Sequence, residues 1–216
     1  MTVKSVSSQT MQRLPRYLTY LKSLPKSAAV NISATGIADA LGMNDVQVRK
    51  DLALVSGGGR PKVGYILRDL IGDIERFLGC DDTDTAVIAG VGSLGRALLS
   101  YSGFASYGLD IVAAFDTDEK LIGSSVGGKE VLDARKMTDL CRRMNIRIGI
   151  IAVPASHAQA VCDALTESGV LAIWNFAPVH LNVPASVLVK HENMACSLAM
   201  LSQHLKEAWA SATPNR

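Results

Sequence analysis

Apolar positions over the first eighty residues recur with helical spacing, and from residue 85 onward they gather into strand-sized runs separated by amphipathic stretches. Met11 to Leu24, MQRLPRYLTYLKSL, predicts a helix with Pro15 in its first turn and Pro25 as its stop. Ser33 predicts the cap of a short helix, ATGIADAL, which Gly42 closes. Asn44 predicts the cap of the next, DVQVRKDLALV, ended by Ser56 and three glycines. Two helices joined by a short glycine-containing turn form a helix-turn-helix signature. RPKVGYIL then has a turn-forming start and a β-prone end, as a wing hairpin does. RDLIGDIERFL predicts one more helix before the acidic linker CDDTD.

Beyond the linker the pattern alternates. TAVIAG, LDIVAAF, RIGIIAV and VLAIWNF are strand-like, with helices across LGRALLSY, around MTDLCRRM and across SHAQAVCDALTES. That alternation predicts a doubly wound parallel sheet. A shorter strand near Ser186–Lys190 and a last helix from Met194 to about Ala210 complete the chain. The expected class is therefore α/β. A winged helix-turn-helix domain over residues 1–80 precedes a Rossmann-like domain over 85–192, and a C-terminal helix and tail occupy 193–216.

Composition sharpens this division. The 216 residues carry a net charge of +2, but residues 1–79 hold eleven basic and six acidic side chains, whereas residues 80–216 hold eleven and fourteen. A basic front part and a mildly acidic remainder point to two modules, the first with a polyanionic partner. The four cysteines, Cys80, Cys141, Cys162 and Cys196, are scattered without metal-ligand spacing, so neither a metal site nor a disulfide framework is expected. Apolar runs fall short of the ~20 residues of a membrane span, and MTVKSVSSQT lacks the apolar stretch of a secretory signal. A cytoplasmic protein is expected.

The chemistry-bearing motif of the second module is GVGSLG, residues 90–95, preceded by a buried strand and opening a helix. Gly90 permits the tight turn, Gly92 lets the backbone approach a pyrophosphate, and Gly95 allows close helix–strand packing, with Val91, Ser93 and Leu94 completing the cradle. The helix start offers N–H groups to phosphates. Asp116 ends the next strand 21 residues beyond Gly95, where a carboxylate accepts ribose hydroxyls and repels a 2′-phosphate, favouring NAD(H) over NADP(H). Of the histidines, His157 is the best placed, just past the strand end in IAVPASH, but no acid or base beside it makes a catalytic pair. No catalytic residue is assigned.

In the first module, Val48, Leu52 and Val55 share one helical face, the predicted core seam. Val46, Gln47 and Lys50 point away from it with Arg49 on the flank, a surface suited to a major groove. There Lys50 can reach guanine, Gln47 adenine and Val46 a thymine methyl. Arg60 and Lys62 on the wing would meet phosphates or a minor groove, and Tyr65 is placed on the same surface. A protein-binding helix pair remains the alternative for this module. A small NAD-dependent oxidoreductase, or a nucleotide- or CoA-binding subunit, remains the alternative for the whole chain.

These residues together resemble the Rex family of bacterial redox-sensing transcriptional repressors. The resemblance is carried by RLPRYLTYL, VQVRKDL, the glycine-rich wing ending VGY, GVGSLGRAL, FDTD, Val126–Gly128, Val153–Ala155 and WNFAPVHLNVP, in order over nearly the whole chain. It implies a homodimer in which each C-terminal helix swaps onto its partner. It also implies an inverted-repeat operator held when NAD⁺ prevails and released when NADH accumulates. Tyr101, Val153, Pro154 and Phe176 are the expected neighbours of the nicotinamide. Many members pair an Arg late in the first helix with an Asp opening the swapped helix; Thr19 and Asn193 stand there in this chain, which looks like replacement of the ion pair by a neutral contact and implies a redox response that is weaker or differently tuned. The wing also lacks the aromatic common before its basic tip.

Overall fold

Three polar side chains, Ser7, Ser33 and Asn44, each accept the backbone N–H three residues further on, and each starts a helix of the front part. The computed structural model describes residues 6–25, 30–80 and 83–212. These divide into two units, the first running through Thr83 and including Ser106–Gly108, the second comprising Asp84–Ala105 and the chain from Leu109. Asp81 and Asp82 of the expected linker and the tail beyond Ala212 lie outside the described residues.

The first unit is helical. α1, Ser8–Ser23, begins three residues earlier than the proline suggested, because Ser7 caps it; Pro15 therefore sits inside the helix and not in its first turn. β1, Asn31–Ile32, leads to α2, Ala34–Leu41, and Gly42 in the left-handed conformation turns the chain into α3, Asp45–Val55. A loop closed by a bridge between Arg60 and Gly64 follows. β2, Tyr65–Ile66, pairs antiparallel with β1 rather than within a hairpin of its own. α4, Leu67–Leu78, ends at left-handed Gly79. Leu14, Tyr17, Leu18 and Leu21 of α1 meet Ile37, Val48, Leu52, Leu70 and Ile74 in one core. Val48 and Leu52 are fully buried and Val55 packs at the margin, the seam that helical spacing predicts.

The second unit is a seven-stranded sheet. β3 is Asp84–Ala89, β4 Leu109–Asp116, β5 Ser125–Val126, β6 Lys129–Asp133, β7 Ile148–Ile151, β8 Ala172–Asn175 and β9 Leu188–His191. They lie in the order β5-β6-β4-β3-β7-β8-β9, parallel throughout except for the β5–β6 hairpin. From β6 to β9 this is the third-second-first-fourth-fifth-sixth order of the Rossmann fold, with the chain reversing direction across the sheet between β3 and β7. Alternate side chains of β3 enter opposite cores: Val87 and Ala89 pack with α6, Met137–Arg143, and α7, Ala155–Glu167, while Ala86 and Ile88 pack with Leu99 and Val131. Leu99 belongs to α5, Ser93–Leu99.

The last helix, α8, spans Met194–Ala212, and Asn193 caps it by accepting the Cys196 N–H. Its apolar stripe of Leu198, Leu201, Leu205 and Trp209 stays 52–69% exposed. Among the described residues, no helix is long and apolar enough to cross a membrane.

Leu52→Ala should lower unfolding free energy by about 2–5 kcal/mol, because it opens a cavity beneath the exposed face of α3. Urea unfolding with an unchanged m-value checks this; a loss below 1 kcal/mol would mean that the α3 seam does not hold the unit together.

Candidate functional site

The glycine loop is built by contacts between backbones. Gly90 follows β3 with a φ of 97°, and a Cβ there would stand 2.6 Å from the Ala152 carbonyl oxygen. A Cβ on Gly95 would lie 1.9 Å from the Gly90 carbonyl oxygen, so α5 can approach the loop only through a glycine. Gly92 differs: a Cβ there meets nothing within 4 Å. The fold itself therefore explains Gly90 and Gly95 but makes no demand at 92, where open space faces the cleft. Val91 is fully buried beneath the loop, Ser93 is exposed and Leu94 half-buried.

Asp116, at the end of β4, holds this loop from the side. Its Oδ2 accepts the Val91 N–H at 2.7 Å, and its Oδ1 accepts the N–H groups of Thr117 and Asp118 at 2.7 and 3.0 Å. Arg96 Nε donates to the Val91 carbonyl at 3.0 Å. A cleft of about 520 Å³ opens here at the reversal between β3 and β7, bounded by Gly90, Gly92, Asp116, Val153, Pro154 and His157. Its outer wall is apolar, with Met137, Val161 and Ala164.

Tyr101 and Phe176, expected at the same cleft, are not among its wall residues. They end a row of aromatic rings. Tyr101 meets Phe104 edge-on at 4.8 Å, Phe104 meets Trp174 at 5.6 Å, and Trp174 leans on Phe176 at 4.8 Å. Phe176 turns away because Asn175, fully buried, bonds both the Ala177 N–H and the Ala177 and Val179 carbonyls and so fixes the turn after β8.

On α3, Val46, Lys50 and Leu54 are exposed. Arg49 pairs with Asp45 at 3.3 Å across one helical turn. Arg49, Arg60 and Lys62 share the wall of a second cleft, about 550 Å³, with Ser33, Thr35 and Pro61. Lys62 stands at the tip of its loop with a φ of 66°, a strained backbone for a side chain of its size. Tyr65, assigned to the outer surface on sequence grounds, is a core residue only 7% exposed. Its ring lies under the loop so closely that a Cβ on Gly59 would fall 2.7 Å from Cζ.

The strongest polar feature of the first unit is a buried carboxylate that helical spacing alone does not assign. Asp51, 1% exposed on α3, receives hydrogen bonds from four side chains. Thr10 Oγ1 donates to Oδ1 at 3.1 Å and Tyr17 OH to Oδ2 at 2.8 Å. Arg13 bridges both oxygens, Nε to Oδ2 at 2.6 Å and Nη2 to Oδ1 at 3.0 Å. Gln47 Nε2 donates to Oδ1 at 3.0 Å. The amide expected to read adenine thus has its donor turned inward, because a buried carboxylate one turn along the helix needs it more. Burial raises the Asp51 pKa, but the bonds from Arg13, Tyr17, Gln47 and Thr10 outweigh it and hold the carboxyl below its ordinary value. Burial, together with the Asp51 charge, pushes the Tyr17 hydroxyl up to about 12. The available signal was an acid beside Val48 and Leu52 on the inner flank of the helix.

Thr19, by contrast, donates to the Pro15 carbonyl at 2.9 Å and shares a hydrogen bond with the Tyr107 hydroxyl at 2.8 Å. Among the described residues no three His, Cys, Asp or Glu side chains group as metal ligands.

Known proteins match both halves. The family described as "CoA binding domain" matches residues 81–179, and that described as "Putative DNA-binding protein N-terminus" matches residues 5–53. The redox-sensing transcriptional repressor Rex of Porphyromonas gingivalis is 38% identical over 201 residues, covering 93% of this chain and 92% of that protein. The chain belongs to the Rex family. Rex of Pelotomaculum thermopropionicum is likewise 38% identical, over 98% of this chain and all of its own length. The crystal structure of RSP in complex with β-NAD⁺ and operator DNA superposes with a TM-score of 0.88 at 33% identity, covering 97% of each chain. RSP in complex with β-NADH gives 0.84 at 32% identity, covering 98% of this chain and all of the other. Rex proteins are transcriptional repressors and not enzymes, which removes the oxidoreductase and enzyme-subunit alternatives.

Since folding lowers the Asp51 pKa, the stability it contributes is complete above the ordinary carboxylate range near pH ~4 and is lost as pH falls through the lower folded value. Asp51→Asn should therefore cost about 3 kcal/mol at neutral pH, with the gap to wild type closing in acid. Urea unfolding across pH measures both; a gap that stays constant into acid would show that the carboxylate charge is not what matters.

Proposed function

We propose that this Rex-family chain represses transcription as a homodimer on an inverted-repeat operator and lets go when NADH fills the cleft of its second unit. The observation that carries this is the open face of Gly92 beside Asp116, in a family whose member RSP forms complexes with NAD⁺, NADH and operator DNA. The division of labour follows the chain: residues 1–80 read DNA, 85–192 hold the coenzyme and 193–216 join the two copies.

At the coenzyme, the loop from Gly90 through Val91, Gly92, Ser93 and Leu94 to Gly95 cradles the pyrophosphate. Asp116 has lone pairs left beyond its three backbone donors and accepts the adenosine ribose hydroxyls, while its charge excludes a 2′-phosphate. Val153 and Pro154 provide apolar surroundings for the nicotinamide. An oxidised ring carries a positive charge that resists losing its water; a reduced ring does not. About 100-fold tighter binding of NADH supplies ~2.7 kcal/mol to bias the protein between its DNA-binding and released states. Thiol chemistry is a poor rival for the redox signal at the buried cysteines, since burial pushes Cys141 up to about 11 and raises Cys162 as well.

At the operator, Lys50 and Val46 meet base edges, and Arg49, Arg60 and Lys62 grip phosphates from their shared cleft. Gln47 and Tyr65 act from inside, one orienting α3 through Asp51 and the other propping the loop of Arg60 and Lys62. The bare apolar stripe of α8 is covered by the second copy, as a swapped helix would be. A cytoplasmic location follows from such a role.

Labelled inverted-repeat duplex titrated with protein, while NADH and NAD⁺ are varied separately, tests the reading. Release at far lower NADH than NAD⁺ is expected; equal effects would remove redox discrimination. Lys50→Ala should weaken specific DNA binding and spare NADH affinity, whereas Asp116→Ala should weaken NADH and leave ligand-free DNA binding intact. Each base contact is worth about 1–3 kcal/mol.

A further inference from the structure

The coenzyme cleft has an unbalanced wall. A dinucleotide pyrophosphate brings two negative charges, yet the fifteen residues that line the cleft include neither Lys nor Arg. Asp116 is the single carboxylate among them and His157 the single side chain able to carry positive charge. Arg96, on α5, is engaged through Nε with the Val91 carbonyl and is not part of the wall.

His157 lies in the first turn of α7, directly after β7, and so flanks the strand-order reversal from the side opposite the glycine loop. The two sides are close. Gly90 abuts Ala152 and Val153 so tightly that a Cβ would touch both, and the His157 N–H bonds the Pro154 carbonyl at 2.9 Å. The Ser156 hydroxyl stands 3.0 Å from His157 Nδ1. When that hydroxyl donates, the ring proton is kept on Nε2, leaving a donor on the other edge of the imidazole.

Resting on the reading of this cleft as a dinucleotide site, we propose that His157 is a binding residue for the coenzyme's pyrophosphate, an imidazole N–H donor in a cleft lined by neither lysine nor arginine. Its Nε2 donates to a phosphate oxygen, and Ser156 orients the ring. The role is one of binding and carries no chemistry, in keeping with a repressor.

Calorimetric titration of the full-length protein with adenosine, ADP-ribose and NADH separates the outcomes. His157→Ala should weaken ADP-ribose and NADH by about tenfold each, the worth of one charge-assisted hydrogen bond, and leave adenosine unchanged. His157→Arg should restore both pyrophosphate ligands. Equal loss for adenosine would make the residue merely structural. Loss for NADH alone would move it to the nicotinamide, and no loss at all would remove it from the site. Each of these overturns the proposal. Wild-type protein that binds neither ADP-ribose nor NADH would instead overturn the reading of the cleft on which it rests.

Discussion

Where α5 meets the strand end, one carbonyl oxygen fills the place of a side chain. A Cβ on residue 95 would run into the Gly90 oxygen, and a Cβ on Gly90 would stand 2.6 Å from the Ala152 carbonyl oxygen. This contact sets the rest of the second unit in order. It brings the loop against the end of β7, leaves Gly92 facing outward, and delivers the Val91 N–H to Asp116.

The first unit solves a similar problem with charge. Three residues of α1, spaced so that they share a face, converge with Gln47 on one buried carboxylate of α3. An unpaired Asp51 would be costly in that core, so its partners make α3 keep one rotation and one depth against α1. Apolar packing alone would tolerate small rotations; five hydrogen bonds to two oxygens do not. The exposed side of α3, with Val46 and Lys50, is presented accordingly.

Most of the architecture could be read along the chain, because helix caps and strand alternation are local signals. Asn44 and Ser56 bracket α3, and TAVIAG and LDIVAAF declare central strands by their apolar runs. What escaped depends on contacts distant in sequence. KEVLD forms β6 although Val131 is its one buried residue, since pairing with β4 supplies what composition lacks. Tyr65 pairs with Ile32 across more than thirty residues and is drawn into the core, and Gln47 turns inward for an acid whose other partners lie on another helix. Phe176 was placed by its neighbours in sequence, whereas Asn175 decides its direction. The glycine loop and Asp116 are local signals in the sequence, whereas the course of the aromatic side chains depends on contacts distant in it.

The aromatic row has an optical consequence. Trp174, half-buried between Phe104 and Phe176 and donating its indole N–H to Glu192 at 3.2 Å, shares the chain with one other tryptophan, Trp209, which is largely exposed on α8. A dihydronicotinamide absorbs where indoles emit, so energy transfer from Trp174 would quench its emission. The repressor thus contains its own fluorophore for following occupancy, without a label and without DNA.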